Sequence, residues 1–224
     1  MVVCDKSGDG MEGYRMRPWI SAGAVLLGGF IICMVPSIVS AACEDPPAPQ
    51  VDWANCNKKS LGLANVNLNG ANLQQTKLIG AALGNVELQG ANLTKANLMS
   101  ANLSNTDLGG ATLTEANLHT ATAVRTNFHK ANLTKANLKR AMLRQANLTG
   151  ANLSHAELNE AVLSGADLTE AKLNGADLSE ADLSDADLRG VDLTEVVGLT
   201  PQKLKTAIMD KTTKLADELR PQGQ

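Results

Sequence analysis

Between Leu63 and Leu193 an apolar residue returns at every fifth position. Of these 27 positions 25 are Leu, and Ala123 and Phe128 are the exceptions. Two residues earlier in each unit, from Leu61 to Val191, stands a second apolar position. It is Ala in 20 of 27 units, the others being Leu61, three Val and three Thr. The residue between the two is commonly Asn or Asp, as in Ala91-Asn92-Leu93 and Ala181-Asp182-Leu183. The last two places hold Ser, Thr, Gly, Lys, Glu and similar residues. A period of five suits neither common element. In an α-helix, leucines five apart advance by about 140° and smear around the cylinder. In a flat strand they point to opposite faces. The pattern predicts a short extended piece whose Ala and Leu face one way, then a corner. Repeating the corner turns every Leu toward one axis and leaves the polar places outside.

The A-(D/N)-L-x-x units resemble those of the pentapeptide-repeat family, in unbroken register over residues 61–195. The resemblance implies an all-β solenoid, a right-handed quadrilateral β-helix with four units per coil and about seven coils. At a strand-like spacing of about 4.8 Å, such a rod is roughly 32 Å long. Short polar side chains suit the corners because they satisfy turn backbone, and both rod ends are open edges that need covers. At the C-terminal end, Thr200-Pro201 predicts a short capping helix with Thr at the N-cap. Its stripe of Leu204, Ile208 and Met209 would cover the last coil, with Ala207, Leu215 and Leu219 alongside. At the other end, Val51–Asn57 is the expected cover, with Trp53 its only large apolar residue.

Ahead of the repeats, Arg15 and Arg17 precede an uncharged run from Trp19 to Val39 and the small residues Ser40, Ala41 and Ala42. This is the pattern of a secretory signal cleaved after Ala41 or Ala42. An uncleaved anchor over residues 19–39 is the alternative, since about 20 apolar residues span a bilayer. Cys43 as a lipoprotein cysteine is a third reading, and Met16 fits as a start for the signal. The expected organisation is residues 1–42 as signal or anchor, 43–60 as linker and N-terminal cap, 61–195 as solenoid, and 196–224 as C-terminal cap and tail. Both arms of the signal-or-anchor choice put the rest outside the cytoplasm, in a periplasm or thylakoid lumen. There Cys43 and Cys56 either close a small loop ahead of the repeats or stand as free thiols.

Composition narrows the chemistry. Aromatic residues make up 2% of the chain and the formal net charge is −3, which supplies neither stacking platforms nor a general grip on phosphate backbones. Charge is uneven along the chain. Residues 121–145 carry Arg125, Lys130, Lys135, Lys139, Arg140 and Arg144 with no acid, and residues 156–195 carry eleven acids against two bases. These define a candidate basic patch and a candidate acidic patch (Asp167, Asp177, Asp182 and Asp187). The bland alternative is a solvated rod face. Ala123 and Phe128 form a candidate core irregularity, in which the larger ring fills the space missing at Ala123, or the chain bulges outward over 123–125.

His119, His129 and His155 fall in different columns of a 20-residue coil, so no metal site is expected. A rod filled with Leu leaves no pocket to tune a carboxylate, and no nucleophile elbow or phosphate loop is present. The sequence therefore reads as non-catalytic, with no cofactor and no small-molecule substrate. The preferred reading is an exported structural or interaction module that presents flat faces to an unidentified protein partner. End-to-end or face dimers are compatible with it, and a membrane contact enters only through residues 19–39. By resemblance, a DNA-mimic binder of a type II topoisomerase is the alternative, with a membrane-tethered scaffold as a variant of the first.

Overall fold

The structure is a computed structural model that describes residues 43–219, together with short strands within the first forty residues. Two compact units divide the chain, residues 1–40 and 41–224. In the first unit, Val3–Lys6 pairs antiparallel with Tyr14–Arg17, and Val25–Leu27 with Phe30–Ile32. The signal or anchor expected over residues 1–42 otherwise lies outside the described residues. Among the described residues, no helix is long and apolar enough to cross a membrane.

The second unit is a β-solenoid. Parallel bridges join residues 20 apart in an almost continuous series from Asp52↔Asn72 to Asp177↔Val197. Each five-residue unit forms one side of a coil, and four units return the chain to its starting column. The four faces are named here by their outward bridging residues. Face 1 runs from Asp52 through Asn92 to Asp192, face 2 from Asn57 to Val197, face 3 from Gly62 to Asp182, and face 4 from Asn67 to Asp187. The series lapses once inside the rod, on face 1 between Lys172 and Asp192.

The backbone of one unit explains the motif. In residues 91–95 every N–H has an acceptor. Ala91 closes a turn to Leu88 O at 3.1 Å, and Asn92 donates back one coil to Ala71 O at 2.9 Å. Leu93 and Lys95 donate forward one coil, to Thr112 O at 2.7 Å and Thr114 O at 2.9 Å. The remaining N–H, of Thr94, donates to the Asn92 side-chain oxygen at 3.1 Å. Asn or Asp in the second place thus supplies the one acceptor that neighbouring coils do not, as an Asx turn. The fifth residue of every unit from Gln50 to Gly190 sits at φ between 52° and 74°. With the Leu O to Ala N–H bond across the corner, this is the geometry of a type II turn.

Inside, the leucines and alanines form four ladders, with Ala91, Leu93, Ala96 and Leu98 all at 0% exposure. Each buried Leu contributes roughly 1.5–3 kcal/mol. Three Ala places carry Thr instead, and the hydroxyls of Thr76, Thr106 and Thr126 donate to the carbonyls of Trp53, Leu83 and Leu103 at 2.5–2.6 Å. A buried hydroxyl is tolerated because the coil below offers it a carbonyl. Ala123 and Phe128 are both fully buried. Ala123 N–H reaches Met142 O at 2.8 Å and Arg125 N–H reaches Arg144 O at 2.9 Å. The ladder runs through this coil without a bulge.

Both ends depart from the covers read in the sequence. Val51–Asn57 is part of the ladder, not a lid, because Asp52 and Asn57 bridge to the next coil. Trp53 occupies a Leu column at 0% exposure. The segment before it folds over the rod end: Trp53 Nε1 donates to Asp45 O at 3.1 Å. The Lys58 ammonium lies 4.0 Å above the indole ring and donates to Cys43 O at 2.6 Å. Among the described residues no capping helix follows Thr200; the only helical piece is the 3₁₀ turn Asp217–Leu219. The chain instead continues the coil, with Ile208 bridging to Asp187 and Lys214 to Asp192. Pairing the open edge satisfies backbone groups of Ala186, Leu188, Val191 and Leu193, which a helix laid across them would leave bare. Leu204 is buried as expected of a cover, but Ile208 is 51% exposed.

Candidate interaction surfaces

The charged residues singled out in the sequence are dispersed by the coil. Arg125, Lys130, Lys135 and Arg140 all hold fifth places, which puts one at each of the four corners of a coil. They form a belt, not a face. One member of the belt is paired, Arg140 with Glu160 through two hydrogen bonds at 2.9 and 3.1 Å, and Lys139, in the fourth place before it, pairs with Glu157 at 2.9 Å. Hydrogen bonding to Arg140 holds the Glu160 carboxyl below its ordinary range. Lys95 pairs with Glu115 at 3.6 Å along the same corner column as Lys135. Exposed pairs of this kind contribute little to stability, about 0–1 kcal/mol each.

The acidic residues are likewise shared out. Asp167 and Asp187 stack on face 4, Asp177 lies on face 2 and Asp182 on face 3. Each also serves as a second-place acceptor, taking the N–H of Thr169, Arg189, Ser179 and Ser184 respectively at 2.9–3.1 Å. The Ser179 hydroxyl lowers the Asp177 pKa, the Ser184 hydroxyl lowers that of Asp182, and the Arg189 guanidinium lowers that of Asp187. The acids of this stretch are therefore structural parts of their turns as well as surface charge. Among the described residues, no group of three His, Cys, Asp or Glu is placed to hold a metal ion.

Cys43 and Cys56 are joined in a disulfide with Cα atoms 5.5 Å apart. It ties the covering segment to the first coil beside Trp53, and Cys56 is 1% exposed.

The faces differ most in their second places, a distinction the sequence reading passed over. Faces 1, 2 and 4 carry stacked Asn and Asp, with side-chain bonds between coils such as Asn127 to Asp107 at 2.8 Å and Asn147 to Asn127 at 3.1 Å. Face 3 presents Gly62, Ala82, Asn102, Thr122, Met142 and Val162 before reaching Asp182. Its fourth places are Ala64, Gly84, Ser104, Val124, Arg144, Ser164 and Ser184, of which Arg144, read in the sequence as part of the basic patch, is exposed beside Met142. Met142 is 37% exposed at the middle of this strip. A 20-residue column count would have found it, since the signal is the scarcity of Asn and Asp in one unit of four, where only Asn102 and Asp182 remain.

Five-residue units, four to a coil, around a Leu and Ala core define a solenoid protein of the β-helical class. Family comparison agrees: the model for pentapeptide repeats matches in eight copies, over residues 67–105, 76–114, 101–140, 111–150, 146–185 and 161–197. The chain belongs to the pentapeptide-repeat family, whose members form right-handed quadrilateral β-helices. Among solved structures it is similar to QnrB1, a plasmid-mediated fluoroquinolone resistance protein, at 22% identity and TM-score 0.57, covering 73% of this chain and 84% of that one. HetL, involved in heterocyst differentiation regulation in the cyanobacterium Nostoc sp. strain PCC 7120, is 30% identical over 79% of this chain and 94% of its own, with TM-score 0.38. A pentapeptide repeat protein from the Arabidopsis thaliana thylakoid lumen is 27% identical over 57% of this chain and 85% of its own, with TM-score 0.27. A comparison with curated proteins finds no match.

Proposed function

We propose that this protein is a non-catalytic interaction module that works outside the cytoplasm, in a periplasm or thylakoid lumen, and presents face 3 to a protein partner. The observation that carries the reading is the run of Gly62, Ala82, Thr122, Met142 and Val162 on face 3, interrupted by Asn102 and bordered by the exposed Arg144, beside three faces richer in stacked amides and acids. Small and apolar side chains on a rigid sheet lose little water and little entropy when covered. The fourth-place N–H groups of Gly84, Val124, Arg144 and Ser164 lack the Asx acceptor, since the second place before each is Ala82, Thr122, Met142 or Val162. They are left as donors for a partner. Two features support export: the signal-like pattern of residues 15–42 and, directly after it, the Cys43–Cys56 disulfide, a bond that persists in oxidising compartments.

The test has two arms. Fractionation of host cells with intact-mass measurement is expected to give an extracytoplasmic species that begins near Ala42 or Cys43 and is two hydrogen atoms lighter for the disulfide. A full-length membrane species would instead make residues 19–39 an anchor for the same module. A reduced, full-length cytosolic species would remove the export reading and reopen DNA mimicry, which the acids of residues 156–195 favour. In the second arm, the wild-type protein used as bait is expected to retain a partner that Met142→Glu loses. Equal retention by both would move the interface off face 3.

A further inference from the structure

Two cations meet on face 3 without an ion-pair partner. Arg125 holds the corner at the end of its unit, Arg144 the fourth place one coil on, and both are exposed. Their backbones touch, Arg125 N–H donating to Arg144 O at 2.9 Å, so the two side chains leave adjacent coils at one edge of the face. Their columns supply no acid: Asn105 and Gln145 flank Arg125, and Val124 and Ser164 flank Arg144. At the opposite edge Arg140 is already neutralised by Glu160. The acids around them are engaged in their own turns. Asp107 and Asp167 on face 4 accept from Gly109 and Thr169 N–H. On face 3, Asp182 Oδ1 accepts the N–H and hydroxyl of Ser184 at 3.0 and 2.7 Å. Backbone donors lie in the same place. Where the second place is Asn or Asp, its outward side chain takes the fourth-place N–H, as Asn92 takes that of Thr94 at 3.1 Å. That N–H therefore points outward. Thr122, Met142 and Val162 interrupt the device in three successive coils. The N–H groups of Val124, Arg144 and Ser164 are left stacked without an acceptor among the described residues, about 4.8 Å apart from coil to coil.

We infer that this edge of face 3 binds an acidic side chain of a protein partner, its carboxylate at Arg125 and Arg144 and an apolar neighbour on Met142 and Val162. A guanidinium presents its donors as a planar fork that matches a carboxylate. Outward backbone N–H groups favour the same negative charge. The apolar contact has a place beside it. Met142 and Arg144 stand two residues apart on one side of a coil, about 6–7 Å along an extended chain. Side chains two apart on an extended partner segment span that interval. Met142 is 37% exposed and loses water when covered. The arrangement suits one acid better than a nucleic-acid backbone, which needs a run of cations. Only two free cations share this edge, Lys130 and Lys135 stand at other corners, and Asp182 lies further along the same face. This inference deepens the function proposed above and rests on it, since it names the chemistry of the partner that face 3 would take.

The probe is the peptide acetyl-Leu-Ser-Glu-amide, titrated into the isotope-labelled full chain and followed by amide chemical shifts. It is expected to shift the amides of Val124, Arg144 and Ser164 saturably, and acetyl-Leu-Ser-Gln-amide to bind about tenfold more weakly. Added salt is expected to weaken the Glu peptide and leave the Gln peptide unchanged. Arg125→Gln and Arg144→Gln are each expected to cost the Glu peptide about tenfold with unchanged melting. Arg144→Lys, which keeps the charge and loses the fork, retains part of the affinity. Equal binding of the two peptides, shifts centred elsewhere, or no saturable shift up to about 10 mM overturns the inference. So does tighter binding of a single-stranded oligonucleotide at these amides, which would make the ligand a phosphate backbone. Shifts of the same amides with protein concentration alone would make the occupant a second copy. The bait experiment separates this inference from the function it rests on. If Arg125→Gln/Arg144→Gln retains a partner that Met142→Glu loses, the acidic contact is wrong and face 3 stands. Equal retention by the wild type and Met142→Glu removes face 3 itself.

Discussion

At the scale of single residues, the rod tolerates departures from its motif where a neighbour supplies what is lost. Ala123 removes most of a Leu from the core and Phe128, the central residue of the next side of the same coil, adds a ring; both are fully buried. We propose that the ring fills the space beside Ala123. Ala123→Leu is then expected to overpack the coil and cost about 1–3 kcal/mol, and adding Phe128→Leu to it to recover most of the loss. Urea unfolding of the two variants checks this, and a gain in stability for Ala123→Leu alone would show that the space is empty. The fifth place poses a different residue-scale problem, since Lys130 sits at φ 55°. A left-handed non-glycine residue costs about 1–2 kcal/mol, part of which glycine gives back through its freer unfolded chain. Lys130→Gly should therefore stabilise by about 0.5–1 kcal/mol, and Lys130→Val should destabilise, because branching at Cβ crowds that conformation further. Paired thermal melts decide it.

At the scale of the five-residue unit, carboxylates do two jobs, and acid separates them. The Asp192 pKa is lowered to about 2 by the Thr194 hydroxyl first, then by Lys214 and the Thr194 N–H. Asp177, Asp182 and Asp187 are shifted in the same direction. A carboxyl whose folded pKa lies below its unfolded value stabilises the fold above the unfolded value, near 4, and loses that contribution as pH falls through the folded one. Stability is expected to be level above about pH 4.5 and to decline from there toward pH 2. Asp192→Asn keeps the turn acceptor and removes the titrating charge, so its decline should be shallower than that of the wild type. Chemical denaturation across this pH window measures the slope, and identical slopes would remove Asp192 from the account.

At the scale of the whole molecule, each coil touches only its neighbours, so damage at one end should stay near that end. The Cys43–Cys56 bond closes a small loop over the N-terminal rim, for which the chain-entropy model gives about 3 kcal/mol. In the double variant Cys43→Ser/Cys56→Ser, hydrogen exchange is expected to accelerate over the first coil, residues 50–69, and to stay near wild type beyond about residue 110. A uniform acceleration along the rod would mean that the solenoid unfolds as one cooperative body.

The sequence by itself determined the five-residue unit, the buried Ala and Leu ladders and the polar second place, because burial and turn chemistry act within a few residues. It also held the family, through the A-(D/N)-L-x-x units. Neither rim was legible in it. Trp53 and Lys58 depart from the Leu spacing yet complete the first coil, and Thr200-Pro201 carries helix signals yet belongs to a turn. In both places the backbone edge of the adjacent coil had to be paired, and only the folded rod presents that edge. The separation of the faces has the same origin: residues 20 apart become neighbours only when the coil closes. Tertiary structure alone therefore spread four residues of the basic run around four corners and brought Met142 and Val162 together on one face, with Arg144 beside them.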